Sequence, residues 1–463
     1  MNGTDHYGAL IIGDGQAGGP LSTDLVKAGY TTVVVEREHA GGTCVNEGCT
    51  PTKTMVASAR VAYLARRGHE YGVEDGAVTV DMTTVRGRKR RIVSSFRDGS
   101  RMAVERGGAE FLKGEARFVG PKEVAVSLAE GGARHLTGDV IFINTGGRPS
   151  VPPVPGLDSV PFLNSTSIME LDAVPKHLLV MGGGYVGLEF AQMFLRFGSR
   201  VTIVEQLGQL LAHEDADIAS AVADILHQDG IDIRLESTVR RVSRETGGGV
   251  RLTIAAHGEE CEVAGSHLLV AVGRVPNTDR LNLQAAGVVC DDRGYVKVNE
   301  RLETTAPGIY AMGDVAGSPP FTHIAYDDHR IVRDNLLHGG SRTTIDRLIP
   351  YTVFIDPQLG RIGMSEAEAR KQNRAIGVAA MPMSHVARAI EVGETRGKVK
   401  AIVDTETDQI LGGAILGIEG GEIMAMLEIA MMGKLPYTAL REGIFAHPTL
   451  AELFNNLFTS VSA

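Results

Sequence analysis

Cysteine is scarce in this chain, with four in 463 residues. That is too few for a secreted scaffold, which relies on several bridges in a short sequence. No basic segment followed by an apolar core opens the chain, and no apolar run is long enough to span a bilayer. Residues 1–7 lead almost directly into a strand. A soluble, cytoplasmic protein without membrane partners is expected, in a compartment where an oxidised cysteine pair is functional. Positive charge is also short: 46 Lys plus Arg stand against 56 Asp plus Glu, for a net charge of −10. That balance argues against nucleic acid as a partner. The basic run at residues 86–91, RGRKRR, reads as the solvated face of a helix. What the chain has in quantity is glycine, 57 in all, which suggests tight turns spread over several domains.

Two of the four cysteines, Cys44 and Cys49, lie within residues 41–53, GGTCVNEGCTPTK. Pro51 after Thr50 is a helix-start signal, and residues 55–67 continue with helix formers. Cys49 then sits just before a helix N-terminus, where unpaired backbone N–H groups favour negative charge and lower a thiol pKa. A chance pair of cysteines merely packs. The flanking glycines, the helix start and a nearby nucleotide-binding signal favour a redox-active pair instead. Cys261 and Cys290 have no partner nearby in sequence and are read as structural.

That nucleotide signal comes first in the chain. Residues 9–12 form a short apolar run ending in Gly13, Gly15 and Gly18 of a GxGxxG turn; residues 21–28 look helical, and the β-branched residues 31–35 end at Glu36. The first glycine permits a tight turn, the second a close approach to a pyrophosphate, and the third close helix packing, while the acid takes a ribose hydroxyl. The pattern recurs. Residues 178–181 lead into Gly182, Gly184, Tyr185 and Gly187, then a helical 188–197, then 201–204 closed by Glu205, at the same glycine-to-acid spacing. Two dinucleotides are expected, one bound as a redox mediator and one exchanging. Glu205 would repel a 2′-phosphate, and no Arg or Lys follows it in Gln206–Gln209, so NADH is favoured over NADPH at the second unit.

Residues 83–106 resemble a long amphipathic helix, and 109–137 read as short strands with turns. A strand at 139–144 ends in Thr145 and Gly146 of TGGRP, and prolines from 149 to 155 mark a boundary. A strand at 268–272 precedes Gly273 in GRVPN. Residues 305–314 give strand, glycine and Asp314, a carboxylate able to accept hydrogen bonds from a polyol such as a flavin's ribityl chain. Past Pro350, strands at 352–355, 399–403 and 410–416 and helices at 365–371 and 421–432 suggest an α+β domain. Met424, Met426, Met431 and Met432 are read as packing in a core or subunit contact rather than as metal ligands. His447 has Glu452 five residues on, a spacing at which the acid can orient the ring and make it more basic.

Taken together, GDGQAG, GGTCVNEGCTPTK, TGGRP, GGGYVGLE, VGRVPN, GIYAMGD and HPTLAE, in that order over nearly the whole length, resemble the flavin-dependent pyridine nucleotide–disulfide oxidoreductases. That family includes dihydrolipoamide dehydrogenase, glutathione reductase and mercuric reductase. The resemblance implies an α/β chain with two Rossmann-like domains and a C-terminal α+β dimerisation domain. The expected division is 1–149 for FAD and the dithiol, 150–274 for NAD(P)H, 275–347 for a central domain completing the FAD site, and 348–463 for dimerisation. A homodimer is implied, with His447 and Glu452 serving the cysteines of the other subunit.

Carried over position by position, Cys44 resembles the interchange thiol that attacks substrate. Cys49 resembles the thiol that forms a charge-transfer complex with the flavin. Lys53 matches the lysine near flavin N5 and Glu189 its carboxylate partner; Tyr185 matches the aromatic gate over the nicotinamide. Gly13, Gly15, Gly18, Glu36, Gly42, Thr43, Lys53, Thr145, Gly146 and Asp314 are expected at FAD. Gly182, Gly184, Tyr185, Gly187, Glu205 and Gly273 are expected at NAD. His447 matches the general acid/base, oriented by Glu452.

No metal-binding domain is expected ahead of Tyr7, and residues 458–463 lack the cysteine pair of mercuric reductases, which counts against mercury as the native substrate. Residues 321–337 and 394–404 are close to the mercuric-reductase-like flavoproteins of reactive-chlorine and copper stress. The leading expectation is electron transfer between NAD(P)H and a small disulfide or dithiol. The alternative is reduction of Cu(II) or Hg(II) by the same dithiol, with no resident metal. A thiol oxidase or a subunit of a dehydrogenase complex ranks lower.

Overall fold

A computed structural model describes residues 4–74 and 76–461. Expectations for the first three residues and for Ser462 and Ala463 lie outside the described residues. The chain folds into two compact units, one of residues 1–54, 84–150 and 273–347, the other of 55–83, 151–272 and 348–463.

The first unit opens with strand β1 (Thr4–Ile12), helix α1 (Gly18–Lys27) and strand β2 (Thr32–Glu36). Helices α2 (Gly42–Asn46), α3 (Cys49–Arg66), most of whose residues fall in the second unit, and α4 (Met82–Arg106) follow in the chain, then strands β3 (Glu110–Gly120), β4 (Glu123–Leu128) and β5 (Ala133–Ile143). β1 pairs in parallel with β2 and with β5, and the strand Ile309–Ala311 pairs in parallel with β5. Strands covered on both faces read as continuous apolar runs. Accordingly Leu10, Ile11, Val33, Val34, Ile141 and Phe142 are fully buried, each aliphatic side chain contributing about 2 kcal/mol by leaving water.

β3 and β5 differ from the short strands expected over 109–137. Each has eleven residues. β3 begins parallel to β2 and continues antiparallel to β4, while β5 begins antiparallel to β4 and continues beside β1. β3 serves two ladders, and β5, which also pairs with Ile309–Ala311, serves three.

One expectation on α4 is corrected. Lys89, in the middle of the RGRKRR run, is buried, and Arg88 donates to the Thr54 carbonyl at 2.8 Å. Helical spacing puts Lys89 on the stripe of Met82 and Val93, both buried. The run is therefore only partly a solvated face.

The second unit contains a four-stranded parallel sheet, ordered His267–Val270, His177–Met181, Arg200–Val204, Asp232–Arg234, with a three-stranded antiparallel sheet beside it in sequence. Its last stretch is a five-stranded antiparallel sheet on which the helix Gly420–Met432 packs. Val399, Ile415, Leu427, Phe454 and Leu457 fill that core. Ser365 and Glu368 form a capping box at the helix Glu366–Lys371, which is why that start was visible in sequence.

Met424 is buried, whereas Met426, Met432 and Ile429 stand exposed along one side of the same helix. Cys261 is exposed rather than structural, because its strand Glu259–Gly265 keeps only Val263 inside.

Candidate active site

Both glycine turns are built to one plan. Gly13 (φ 102°) and Gly182 (φ 111°) turn the chain in the left-handed region, and each donates its N–H to the neighbouring strand, at Val35 and Val204. A Cβ on Gly18 would lie 2.4 Å from the Gly13 carbonyl oxygen, and one on Gly187 would lie 2.2 Å from that of Gly182. The acids close both turns identically. Glu36 accepts the Asp14 N–H at 2.9 Å and the Glu38 N–H at 2.7 Å; Glu205 accepts the Gly183 N–H at 2.6 Å and the Leu207 N–H at 2.9 Å. Burial pushes the Glu36 carboxyl upward, its backbone donors opposing.

The two turns also fit their expected occupants. Helix α1 and the helix Tyr185–Phe197 both start without a side-chain cap and without an acid in the first turn. Both present a positive dipole end to a pyrophosphate, although at α1 the Gly18 and Gly19 N–H groups are already bonded and Pro20 has none. Tyr185 is the first residue of its helix and half-buried, with Gly184 as the N-cap.

A buried amide, Asn144, joins the first turn to the Asp314 segment. Its Oδ1 accepts the Gly18 N–H at 2.9 Å, and its Nδ2 donates to the Met312 carbonyl at 2.9 Å. The next residue, Thr145, donates to the Asn277 carbonyl, and the Asn277 side chain donates back to Thr145, both at 2.9 Å. The short strands Gly147–Pro149 and Arg274–Pro276 pair antiparallel, and Ser150 donates to the Gly273 carbonyl. TGGRP and GRVPN are therefore one clip. Gly146 has φ 63° and open space where a side chain would project. Asp314 lies in a single turn, Gly313–Ala316, where burial raises its pKa and Arg274, 3.8 Å away, opposes the rise.

The dithiol loop is fastened to the same turn. Asp14, 1% exposed, accepts the Gly41 N–H at 3.0 Å. Gln16 donates to the Gly41 carbonyl at 3.1 Å, and Gly42 packs so closely that a Cβ would meet the Gly15 Cα at 2.9 Å. Burial lifts the Asp14 carboxyl to about 7, against the Gly41 hydrogen bond. Asn46 donates to the carbonyls of Ala40 and Gly42, and Arg97 of α4 grips the Asn46 Oδ1 at 2.7 Å. Thr43 and Cys44 belong to α2, and α3 begins at Cys49 itself.

Cys44 and Cys49 are reduced, with no disulfide between them. The Cys49 neighbour, by hydrogen bond, pushes the Cys44 thiol far above its ordinary range; burial adds to this, and the Thr322 hydroxyl opposes it. Two thiols in contact ionise in sequence, the first thiolate taking the second thiol as donor. The Cys49 Sγ also lies 3.3 Å from the Thr322 Oγ1, at the start of the helix Thr322–Leu337. Lys53 follows Cys49 by one helical turn on α3, so both project from one face.

In the second unit, Glu189 is buried and accepts the Phe354 N–H at 2.9 Å. His447 and Glu452 meet: the Nδ1 lies 2.9 Å from Oε2 and 3.1 Å from Oε1, with 71% of the histidine side chain exposed. The expected residues therefore gather in three places: the first turn with the dithiol, Thr145, Gly146 and Asp314; the second turn with Glu205; and the His447–Glu452 pair. The sequence alone assigns no role to Asp14, Asn144, Thr322 and Asp328, although Asp14 lies inside GDGQAG, Asn144 closes the strand at 139–144, and Thr322 and Asp328 lie in the family-like stretch 321–337.

Among the described residues, no helix is long and apolar enough to cross a membrane, and no cluster of three or more His, Cys, Asp or Glu could hold a metal. Residues 7–328 match the family model described as pyridine nucleotide-disulphide oxidoreductase, and residues 349–458 match its dimerisation domain. The chain is 39% identical over 460 residues to the probable pyridine nucleotide-disulfide oxidoreductase RclA of Escherichia coli strain K12, covering 98% of this chain and 99% of that protein. It is 33% identical to a mercuric reductase of Lysinibacillus sphaericus, covering 97% and 81%. It is also 33% identical to a dihydrolipoyl dehydrogenase of Thermus scotoductus, covering 96% and 95%. A solved structure described as the Cu(II) complex of the HOCl-induced flavoprotein disulfide reductase RclA from Escherichia coli matches with a TM-score of 0.90 at 39% identity, covering 98% of this chain and 99% of that one. With its paired nucleotide turns and its dithiol beside the first of them, the chain belongs to the pyridine nucleotide–disulfide oxidoreductases, FAD-dependent enzymes that exchange electrons with a pyridine nucleotide.

Proposed function

We propose that the protein uses NADH to reduce a small disulfide through Cys44 and Cys49. One observation carries the reading: both thiols and the Thr322 hydroxyl share one hydrogen-bonded cluster, in a loop that Asp14 fastens to the first nucleotide turn.

A bound FAD would supply hydride acceptance from the nicotinamide and two-electron delivery to the cysteine pair. Gly13, Gly15, Gly18, Glu36, Gly42, Thr43, Lys53, Thr145, Gly146 and Asp314 would hold it, and Gly182, Gly184, Tyr185, Gly187, Glu205 and Gly273 the nicotinamide dinucleotide. The chain's own steps then follow. His447 takes the proton of the Cys44 thiol as Cys44 attacks one sulfur of the substrate, forming a mixed disulfide, and returns that proton to the departing thiolate. Cys49 thiolate attacks the Cys44 sulfur, the second substrate thiolate leaves and takes a proton from solvent, and the Cys44–Cys49 bond closes. Glu452 holds the His447 ring by its Nδ1, leaving Nε2 for the proton.

Glu205 supports NADH, since its carboxylate is fixed by two N–H donors where a 2′-phosphate would stand. A homodimer in which His447 and Glu452 serve the partner's cysteines fits the exposure of His447 and of Met426, Ile429 and Met432. The domain division at 149, 274 and 347 belongs to this reading, with Lys53 and Glu189 in the roles that the family resemblance gives them. So does a cytoplasmic location, where reductant keeps such a pair cycling.

A second reading, reduction of Cu(II) or Hg(II) as substrate by the same dithiol, is favoured by the Cu(II) complex of the Escherichia coli relative and by the softness of thiolate ligands. The test is NADH oxidation with lipoamide, glutathione disulfide, other small disulfides, Cu(II) and Hg(II). Turnover of a disulfide supports the first reading. Turnover of a metal ion alone replaces it with the second.

A further inference from the structure

Asp328, on the helix Thr322–Leu337, is fully buried, and a buried carboxylate must be both paired and hydrogen-bonded. Its Oδ2 accepts the Gly313 N–H at 2.7 Å and the Ser318 hydroxyl at 2.8 Å; its Oδ1 lies 2.6 Å from the Arg347 guanidinium. Arg347 also reaches the Ser318 oxygen at 3.4 Å. Gly313, with φ 72°, is the residue immediately before Asp314. The peptide that aims Asp314 is thus held from two sides, by Asn144 at the Met312 carbonyl and by Asp328 at the Gly313 N–H.

We propose that Asp328 is a positioning residue for the flavin site: it fixes the Gly313–Ala316 turn so that Asp314 meets the ribityl hydroxyls already oriented. The inference rests on the reading that Asp314 receives the ribityl chain. Asp328 bonds Gly313, Ser318 and Arg347, so it holds the turn through these neighbours, and its charge also raises the Asp314 carboxyl. Charge is the device. The Asp328 carboxylate makes both hydrogen bonds charge-assisted, about twice the strength of neutral ones, and Arg347 neutralises the charge that burial would otherwise forbid. Removing Asp328 does not strand Arg347, because the Asp327 carboxylate lies 3.8 Å from it. The loss therefore falls on the Gly313 N–H and the Ser318 hydroxyl.

A double-mutant cycle on FAD affinity tests this. FAD is titrated into flavin-stripped wild type, Asp328→Ala, Asp314→Ala and the double variant, and the visible circular dichroism of the bound flavin is recorded. Asp328→Ala should weaken FAD about tenfold, the value of one charge-assisted hydrogen bond, and should change the flavin dichroism. Asp328→Asn, which keeps an acceptor for Gly313, should stay within about threefold of wild type. The double variant should bind FAD no more than about threefold less tightly than Asp314→Ala alone, because Asp328 acts through Asp314. Losses that multiply, or an Asp328→Ala affinity equal to wild type while Asp314→Ala is weakened, overturn the proposal. If Asp314→Ala itself binds FAD normally, the ribityl assignment fails and the proposal with it. Should Asp328→Ala not fold, Ser318→Ala decides: it removes one donor to the same oxygen and should weaken FAD about threefold, and an unchanged affinity overturns the role.

Discussion

The sulfur of Cys49 lies 3.3 Å from the hydroxyl of Thr322, two residues 273 positions apart. A hydroxyl can donate to a thiolate but gives little to a thiol, so the contact favours the ionised form of the pair. In Thr322→Val the pH midpoint of the long-wavelength thiolate–flavin absorption of the reduced holoenzyme should rise by about one unit, equivalent to about 1.4 kcal/mol. Thr322→Ser should restore it. The band itself should vanish in Cys49→Ser and persist in Cys44→Ser; persistence in Cys49→Ser would reverse the two thiol assignments.

Asp14 gives the apoprotein a pH signature. Burial raises its carboxyl from 3.8 to about 7, so between those values the folded state binds more protons than the unfolded one. This group's contribution to stability is whole below pH 3.8 and is lost as pH rises through about 7. Asp14→Asn keeps an acceptor for Gly41 without the charge. Its Tm advantage over wild type should be near zero at pH 4 and should grow to a few degrees at pH 8, on the order of a few kcal/mol. Calorimetry of both apoproteins across that range checks the slope, and parallel curves would refute the assignment.

Glu205 both bonds the turn and sets its charge. Glu205→Gln removes the charge a 2′-phosphate would meet and keeps an acceptor for only one of the Gly183 and Leu207 N–H groups, which go to different carboxylate oxygens. The ratio of kcat/KM for NADH over NADPH should fall about tenfold or more, about 1.4 kcal/mol. A wild-type preference for NADPH would defeat the argument at the outset.

His447 and Glu452 distinguish the two acceptor classes. Proton delivery is worth about 10²–10⁴-fold where a leaving thiolate needs it, whereas a metal ion accepting electrons from thiolates needs little. His447→Ala should therefore cripple disulfide turnover by about a hundredfold or more and change Cu(II) reduction by less than about tenfold. Glu452→Gln should show the same asymmetry at smaller size. Equal losses on both substrates would leave the histidine without its assigned role.

The parts legible in sequence were those whose function needs a fixed local spacing. Glycine turns, the acid closing each second strand, the cysteine loop and the helix begun at Thr50–Pro51 all declare themselves within forty or so residues. What sequence could not show was how those pieces are held. Asn144 reaches Gly18 across 126 positions and Met312 across 168, separations over which no spacing rule operates. Asp14 was visible as a residue between two glycines, yet its role depends on Gly41 arriving over the turn. Asp328 reads as an ordinary charge on a helix until burial and Arg347 are known. The same blindness explains Lys89, which composition assigned to solvent and helical phase placed inside.

The amide of Asn144 restricts what evolution can write at that position. It must accept from the first residue of helix α1 and donate to the residue after the strand Ile309–Ala311 at once, with a side chain just long enough to do both. An aspartate has no proton for the Met312 carbonyl, a leucine satisfies neither partner, and a serine falls short of spanning the gap. Drift at position 144 is thereby closed off by donor–acceptor parity alone. The residue serves as a lock on the fold's permissible alphabet.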